Sequence, residues 1–229
     1  MKNTTAFLFD MDGTLVDNMK YHLQAWEKIM NEAGSDLKGE ELMEQLYGKN
    51  TEVVERIFGK DRFTKDEVND LSLQKERYYH EMYGPHVKLL PGLKDFLQEA
   101  RDRGVKLAIA TAGLRMNIDF VLDRTGIRHL FDALVSDEDV RRSKPDPETF
   151  TLAAGQLDVS PQQCLVFEDS PKGVEAAQQA NMKAVVVLTG KEEKAFSSFS
   201  CVIKTIRDYK NLPVQELLDA IEHSQEQQK

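Results

Sequence analysis

Short apolar runs recur along the chain at Thr5–Phe9, Val105–Ala110, Ala133–Val135, Cys164–Phe167 and Ala184–Leu188, with a weaker one at Cys201–Ile203. Most are apolar at every position rather than at alternate ones, the mark of strands covered on both faces. Between them lie segments with helical spacing, such as Leu93-Phe96-Leu97-Ala100, Met116-Phe120-Val121 and Phe150-Leu152-Ala153-Leu157. Strands that alternate with helices must pair in parallel, so the pattern predicts a doubly wound, Rossmann-like α/β sheet.

One stretch breaks the rhythm. Residues 18–86 hold no strand pattern, and Leu23-Trp26-Met30-Ala33, Leu42-Leu46 and Val53-Val54-Ile57-Phe58 give amphipathic helical faces instead. This predicts an all-helical domain over 18–86, set into an α/β core made of 1–17 and 87–229, with Leu90-Pro91-Gly92 marking the return. The last eight residues, Glu222–Lys229, are polar and Gln-rich and read as a frayed end.

The length of 229 residues fits this plan, because about 150 residues per domain puts the chain between one domain and two. A hydrophobic share of 41% supports a buried core. The 39 acidic against 30 basic side chains make nucleic acid a poor partner, since that polyanion calls for a basic face. No apolar run approaches the ~20 residues of a membrane helix, and the N-terminal run is too short for a signal core. Cys164 and Cys201 lie in apolar runs and read as reduced core thiols. The expectation is a cytoplasmic monomer with no membrane and no nucleic-acid partner.

In open parallel sheets the chemistry sits just beyond the carboxyl ends of the strands. There the sequence places Asp10-Met11-Asp12-Gly13-Thr14, then Thr111-Ala112-Gly113, then Lys144-Pro145, then Glu168-Asp169-Ser170-Pro171. Asp-Gly is also a hairpin signal, but a helical stretch follows it rather than a pairing strand. Ser170 and Pro171 suit a helix start whatever else the acids do. Four carboxylates on one sheet edge would repel one another unless a hard cation neutralised them. Mg²⁺ suits such a set, because it takes oxygen ligands and shares its remaining positions with waters and phosphate. Thr111 and Lys144 are then candidates for gripping phosphate oxygens.

This ordered set resembles the motifs of the haloacid dehalogenase superfamily, and the helical insert is similar to that superfamily's cap. Tyr21-His22-Leu23-Gln24-Ala25-Trp26 narrows the resemblance to its beta-phosphoglucomutase-like group of phosphatases and mutases. The resemblance implies that Asp10 is the nucleophile and Asp12 the general acid/base. It implies that Asp10, the Asp12 backbone carbonyl and Asp169 hold Mg²⁺, with Glu168 bound directly or through water. Thr111, Ala112 and Lys144 become the phosphate-binding set. Dehalogenation is not implied, because the halide-releasing branch lacks the second aspartate that Asp12 supplies.

Water as acceptor makes a phosphatase, and a sugar phosphate makes a mutase. Family mutases resemble Lys-Gly-x-x-Arg in a cap segment that grips the non-transferring phosphate, and the matching stretch here is Tyr47-Gly48-Lys49-Asn50-Thr51. The glycine is kept and both basic positions are lost; Lys49 and Arg56 are candidate substitutes. Thr111-Ala112-Gly113 also lacks the second hydroxyl of the mutases. Arg115 is a candidate phosphate contact, and His22 matches a position shared by mutases and phosphatases. The expectation is therefore a Mg²⁺-dependent phosphatase acting on a small phosphorylated metabolite through an aspartyl-phosphate, with a sugar phosphomutase as the alternative. A phospho-acceptor signalling domain is a remote alternative, because there the acidic pair precedes the acceptor and no partner like Asp12 exists.

Overall fold

The computed structural model describes residues 4–226. Its strands are β1 (Ala6–Phe9), β2 (Lys106–Ala110), β3 (Ala133–Val135), β4 (Cys164–Glu168), β5 (Lys183–Val187) and β6 (Val202–Ile206). They form one sheet in the order β3-β2-β1-β4-β5-β6, and every pairing is parallel. This is the doubly wound order, with the direction of travel switching beside β1, so β1 lies centrally with β2 and β4 as its neighbours. Burial explains the apolar runs: every residue of β1 and β4 is buried.

The chain divides into two compact units, one running to Asp17 and resuming at Lys88, the other Asn18–Val87. In the sheet unit, α5 (Leu93–Asp102), α6 (Arg115–Thr125), α7 (Glu148–Leu157), α8 (Pro171–Gln179) and α9 (Val214–Glu226) connect or follow the strands. Phe150, Ala153 and Leu157 of α7 join Val174 and Ala177 of α8 in one apolar cluster with Leu8, Ala108 and Val166 of the sheet. Aromatic rings also meet, with Phe9 stacked on Phe167 at 4.5 Å and Phe96 edge-on to Phe167 at 5.5 Å.

The other unit is helical: α1 (Met19–Glu32), α2 (Gly39–Met43), α3 (Asn50–Phe58) and α4 (Lys65–Tyr83), then a 3₁₀ turn at Gly84–His86. Trp26, Ile29, Met30, Leu42, Val53, Val54 and Val68 form its core. Thr64 caps α4 through a reciprocal pairing with Glu67, which satisfies backbone donors that a helix start leaves open.

Two expectations need correction. The weak run at Cys201–Ile203 marks a strand that runs later, Val202–Ile206. As an edge strand it is only half-buried and carries Lys204 and Thr205, so apolar content alone misplaces it. The expected frayed end begins too early: α9 continues to Glu226, and 227–229 lie outside the described residues. Val214, Leu217 and Ile221 bury one face of α9, and the Glu and Gln that follow are good helix formers with no breaker among them. Among the described residues no helix is long and apolar enough to cross a membrane.

Candidate active site

Strand register sets the site. Phe9 pairs with Ile109 on one side and Phe167 on the other, and the ladder continues one step as the Asp10 amide donates to the Phe167 carbonyl at 3.0 Å. Asp10, Thr111 and Glu168 therefore leave the sheet at nearly the same level. The Thr111 amide is fixed on the Val135 carbonyl at 3.0 Å, and its hydroxyl accepts from the Gly113 amide at 3.1 Å. A methyl group added at Gly113 would lie 3.5 Å from both the Thr111 hydroxyl and an Asp12 carboxylate oxygen. Asp12 thus faces the Thr111–Gly113 turn.

Lys144 comes to the same place from the loop after β3. Its ammonium donates to Asp10 Oδ1 at 2.8 Å, to Glu168 Oε1 at 2.8 Å and to the Ala110 carbonyl at 3.1 Å. Its hydrogen-bond acceptors are oxygens at strand ends, its ammonium also lies 4.5 Å from the Phe150 ring centre, and Lys144, Asp10 and Glu168 are all buried. Burial would drive the lysine toward neutrality, but the two carboxylates outweigh it and hold the ammonium above its ordinary pKa.

Asp10 goes the other way. Burial pushes its carboxyl up to about 7, against the pull of Lys144 and with help from the Glu168 and Asp12 charges. Asp169 also lies well above the usual carboxylate range, chiefly from burial and then from Glu168 and Asp10. One ammonium does not neutralise this group, and a hard cation is what the excess carboxylate calls for.

Glu168 has a different setting. Its Oε2 accepts from the Ser170 amide at 2.7 Å and the Ser170 hydroxyl at 2.9 Å, while Oε1 faces Lys144. Ser170 in turn caps α8 by accepting from the Gly173 amide at 3.1 Å. Capping and site-building are thus one network. Among the described residues no group of three or more His, Cys, Asp or Glu side chains forms a metal cage. Asp10, Asp169 and the Asp12 carbonyl remain, an all-oxygen set with two carboxylates that could hold Mg²⁺, its other positions going to water and phosphate. Gly13 (φ +80°) leaves room for the Asp169 carboxylate, which a Cβ there would overlap.

The helical unit carries the remaining candidates. Arg56 lies over the Tyr47 ring at 3.6 Å and donates to the carbonyls of Gln45 at 2.5 Å and Tyr47 at 3.2 Å. Tyr47 is the one large apolar side chain exposed among the described residues. Gly48 takes a left-handed φ of 78°, and Lys49 precedes α3 with its amide on Glu52 Oε2 at 3.0 Å. His22 is buried, stacked on Tyr79 at 3.9 Å, with Nδ1 2.8 Å from the Lys75 ammonium. Lys75 is paired with Glu76 at 3.0 Å, and Asn50 donates to Glu76 at 2.7 Å. No local pattern in the sequence points to this buried pair.

Arg115, a candidate phosphate contact, is engaged within the sheet unit. It donates to the Leu134 carbonyl at 2.9 Å and pairs with Asp139 at 2.8 Å, tying the start of α6 to the acidic loop after β3. Thr189 and Tyr209, which sequence reasoning passed over, lie against the loop that follows β1. The Thr189 hydroxyl donates to the Gly13 carbonyl at 2.6 Å, and the Tyr209 hydroxyl to the Thr14 carbonyl at 3.1 Å. Cys164 and Cys201 are free and buried, and burial pushes the Cys164 thiol up to about 12.

The family model for haloacid dehalogenase-like hydrolases matches residues 7–187. Among curated proteins, the chain is 32% identical over 200 residues to the beta-phosphoglucomutase of Bacillus subtilis, spanning 81% of this chain and 84% of that one. It is 31% identical over 182 residues to a fructose-1-phosphate phosphatase of Escherichia coli, spanning 80% and 95%. Among solved structures, the beta-phosphoglucomutase of Clostridium difficile superposes with a TM-score of 0.84 at 27% identity, covering 96% of this chain and 98% of that one.

Proposed function

Since this chain belongs to the haloacid dehalogenase-like hydrolase family and is an enzyme of its phosphatase and mutase kind, we propose that it is a Mg²⁺-dependent phosphatase of a small phosphorylated sugar. The observation that carries the reading is the convergence of Asp10 and Lys144 at the strand ends, with Asp12 beside the Thr111–Gly113 turn.

Asp10 attacks phosphorus in line, so that a carboxylate oxygen–phosphorus bond forms as the ester oxygen–phosphorus bond breaks. Asp12 gives its proton to the departing ester oxygen. It then takes a proton from the water that attacks the aspartyl-phosphate, releasing inorganic phosphate and restoring Asp10. Such assistance is worth ~10²–10⁴ in rate. Lys144, Thr111 and the Ala112 segment bind the transferring phosphoryl oxygens, and Lys144 also draws Asp10 toward its ionised form and aims it. Asp10, Asp169 and the Asp12 carbonyl would hold Mg²⁺, which would supply positive charge against the phosphoryl oxygens. Glu168 orients Lys144 and, through Ser170, ties it to the start of α8.

The helical unit 18–86 takes the part of the substrate-selecting cap. Its composition favours hydrolysis over phosphoryl transfer to a sugar. A mutase must hold a second phosphate, whereas Tyr47 and Thr51 stand at the matching basic positions and Arg56 is engaged by Tyr47 and two carbonyls. The mutase reading has its own support in the 32% identity to the Bacillus subtilis enzyme. A phosphate-release screen over sugar phosphates, including fructose 1-phosphate and glucose 1-phosphate, tests the proposal. It is run beside a coupled assay for glucose 6-phosphate with a bisphosphate primer. Mg²⁺-dependent release that disappears in Asp10→Asn is expected; isomerisation faster than hydrolysis would establish the mutase instead.

A further inference from the structure

The loop that carries Asp12 is folded tightly on itself. The Thr14 and Leu15 amides both donate to the Met11 carbonyl, at 3.2 and 2.8 Å, and the Gly13 amide to the Val16 carbonyl at 2.8 Å. The carbonyls of Gly13 and Thr14 are held instead by hydroxyls that arrive from the last third of the chain, Thr189 beyond β5 and Tyr209 beyond β6.

Tyr209 is itself rigidly placed. Its ring lies in the aromatic cluster beneath the site, 5.3 Å from Phe96, 5.9 Å from Phe167 and 6.4 Å from Phe9, and the last two directly precede Glu168 and Asp10. Its amide donates to the Pro91 carbonyl at 2.9 Å. The next residue along is packed as tightly: a Cβ on Gly92 would lie 2.7 Å from the Tyr209 carbonyl carbon. Phenylalanine would fill this apolar setting equally well. A buried phenol without a partner is unfavourable, so the hydroxyl is tolerated through the bond it makes. That bond is to the catalytic loop.

We propose that Tyr209 is a positioning residue for the general acid Asp12, its hydroxyl fixing the Asp12–Gly13–Thr14 turn through the Thr14 carbonyl, with Thr189 acting likewise through the Gly13 carbonyl. A proton donor works only within hydrogen-bond reach of the leaving oxygen, and small misplacement is expensive in rate. The inference rests on the acid role proposed above for Asp12.

The test compares kcat/KM for phenyl phosphate and p-nitrophenyl phosphate with Mg²⁺. The more basic phenolate needs a proton as it leaves, and p-nitrophenolate needs it far less. Tyr209→Phe is expected to lose about tenfold on phenyl phosphate and under about threefold on p-nitrophenyl phosphate, the same bias as Asp12→Ala at smaller size. Equal losses on both esters, or none, with Asp12→Ala still biased, would overturn the positioning role and leave the phosphatase reading intact. An unbiased Asp12→Ala would overturn the acid role and this inference with it. Wild-type protein that hydrolyses neither ester would remove both. Should Tyr209→Phe fail to melt cooperatively, Thr189→Val carries the same expectation and the same refutation.

Discussion

The Nζ of Lys144 donates to Oδ1 of Asp10 at 2.8 Å across 134 residues of sequence, both side chains buried. The same ammonium reaches Glu168 at 2.8 Å, so one cation joins the ends of β1 and β4. Removing one member of a buried charge cluster leaves the others unpaired, which typically costs about 3–5 kcal/mol. Asp10 can relieve part of this by taking up a proton, because its carboxyl already sits at about 7. Lys144→Met is therefore expected to fold with a loss near 3 kcal/mol, the low end of that range. Its turnover should fall by at least ~10², as one phosphoryl-charge partner is lost. Denaturant melts and steady-state assays on the same preparation check both numbers.

The raised carboxyl of Asp10 gives metal binding a pH dependence of definite sign. Between the unfolded carboxylate value of about 4 and the folded value, the native state holds a proton that the unfolded chain does not. Metal-free protein should therefore lose stability as pH rises through this window, most of the loss being complete above about 7. Mg²⁺ competes with that proton, so its stabilisation should be small at about pH 5 and large at about pH 8. Thermal melts with and without Mg²⁺ at both values test this. An equal Mg²⁺ shift at each pH would contradict the assigned ligands.

How much of this the sequence discloses depends on the range of the forces involved. β1, β2, β4 and β5 are legible because central strands are apolar at almost every position, whereas β6 is an edge strand and half-polar. Asp10, Thr111, Lys144 and Glu168 are legible because a parallel sheet delivers its strand ends to one edge whatever the sequence between them. Tyr209 and the Lys75–Glu76 pair are not. Each is defined by a partner far away in the chain or by a neighbour within a helix, and nothing in local spacing announces it. Arg115 is legible as a cation near a phosphate motif, but its partners, the Leu134 carbonyl and Asp139, are not.

Two helix glycines make a matched pair. Gly173 in α8 and Gly155 in α7 both have ordinary helical backbone, but a Cβ on Gly173 would overlap the Glu168 carboxylate, and one on Gly155 would meet nothing within 4 Å. Gly155→Ala should stabilise the protein by about 0.5–1 kcal/mol through helix propensity. Gly173→Ala should reverse the sign, destabilising by about 1–3 kcal/mol from overpacking. It should also lower turnover, because Glu168 can no longer hold both Ser170 and Lys144. Melting temperatures and kcat for the two variants separate the effects; a stabilised, fully active Gly173→Ala would show that Glu168 has room to move.

Tyr47 with Arg56 offers a test of acceptor choice. The guanidinium sits 3.6 Å from the ring centre and is bonded to two carbonyls of the segment before α3, a neutral-faced arrangement where the resemblance to family mutases implies a basic one. A non-transferring phosphate needs charged donors, and one charge-assisted hydrogen bond is worth about 1.5–3 kcal/mol. The double substitution Tyr47→Lys with Thr51→Arg should raise the ratio of glucose 1-phosphate isomerisation to hydrolysis by about tenfold or more, one such bond being sufficient. Its Mg²⁺ requirement should stay that of the parent, since neither residue is among the proposed ligands. Arg56→Ala alone should unfasten Tyr47 and weaken KM for the preferred sugar phosphate more than kcat, as expected of binding that is uniform between ground and transition states. The coupled glucose 6-phosphate assay and phosphate release, measured in parallel, decide it: a ratio unchanged by the double substitution would remove this loop from the choice of acceptor.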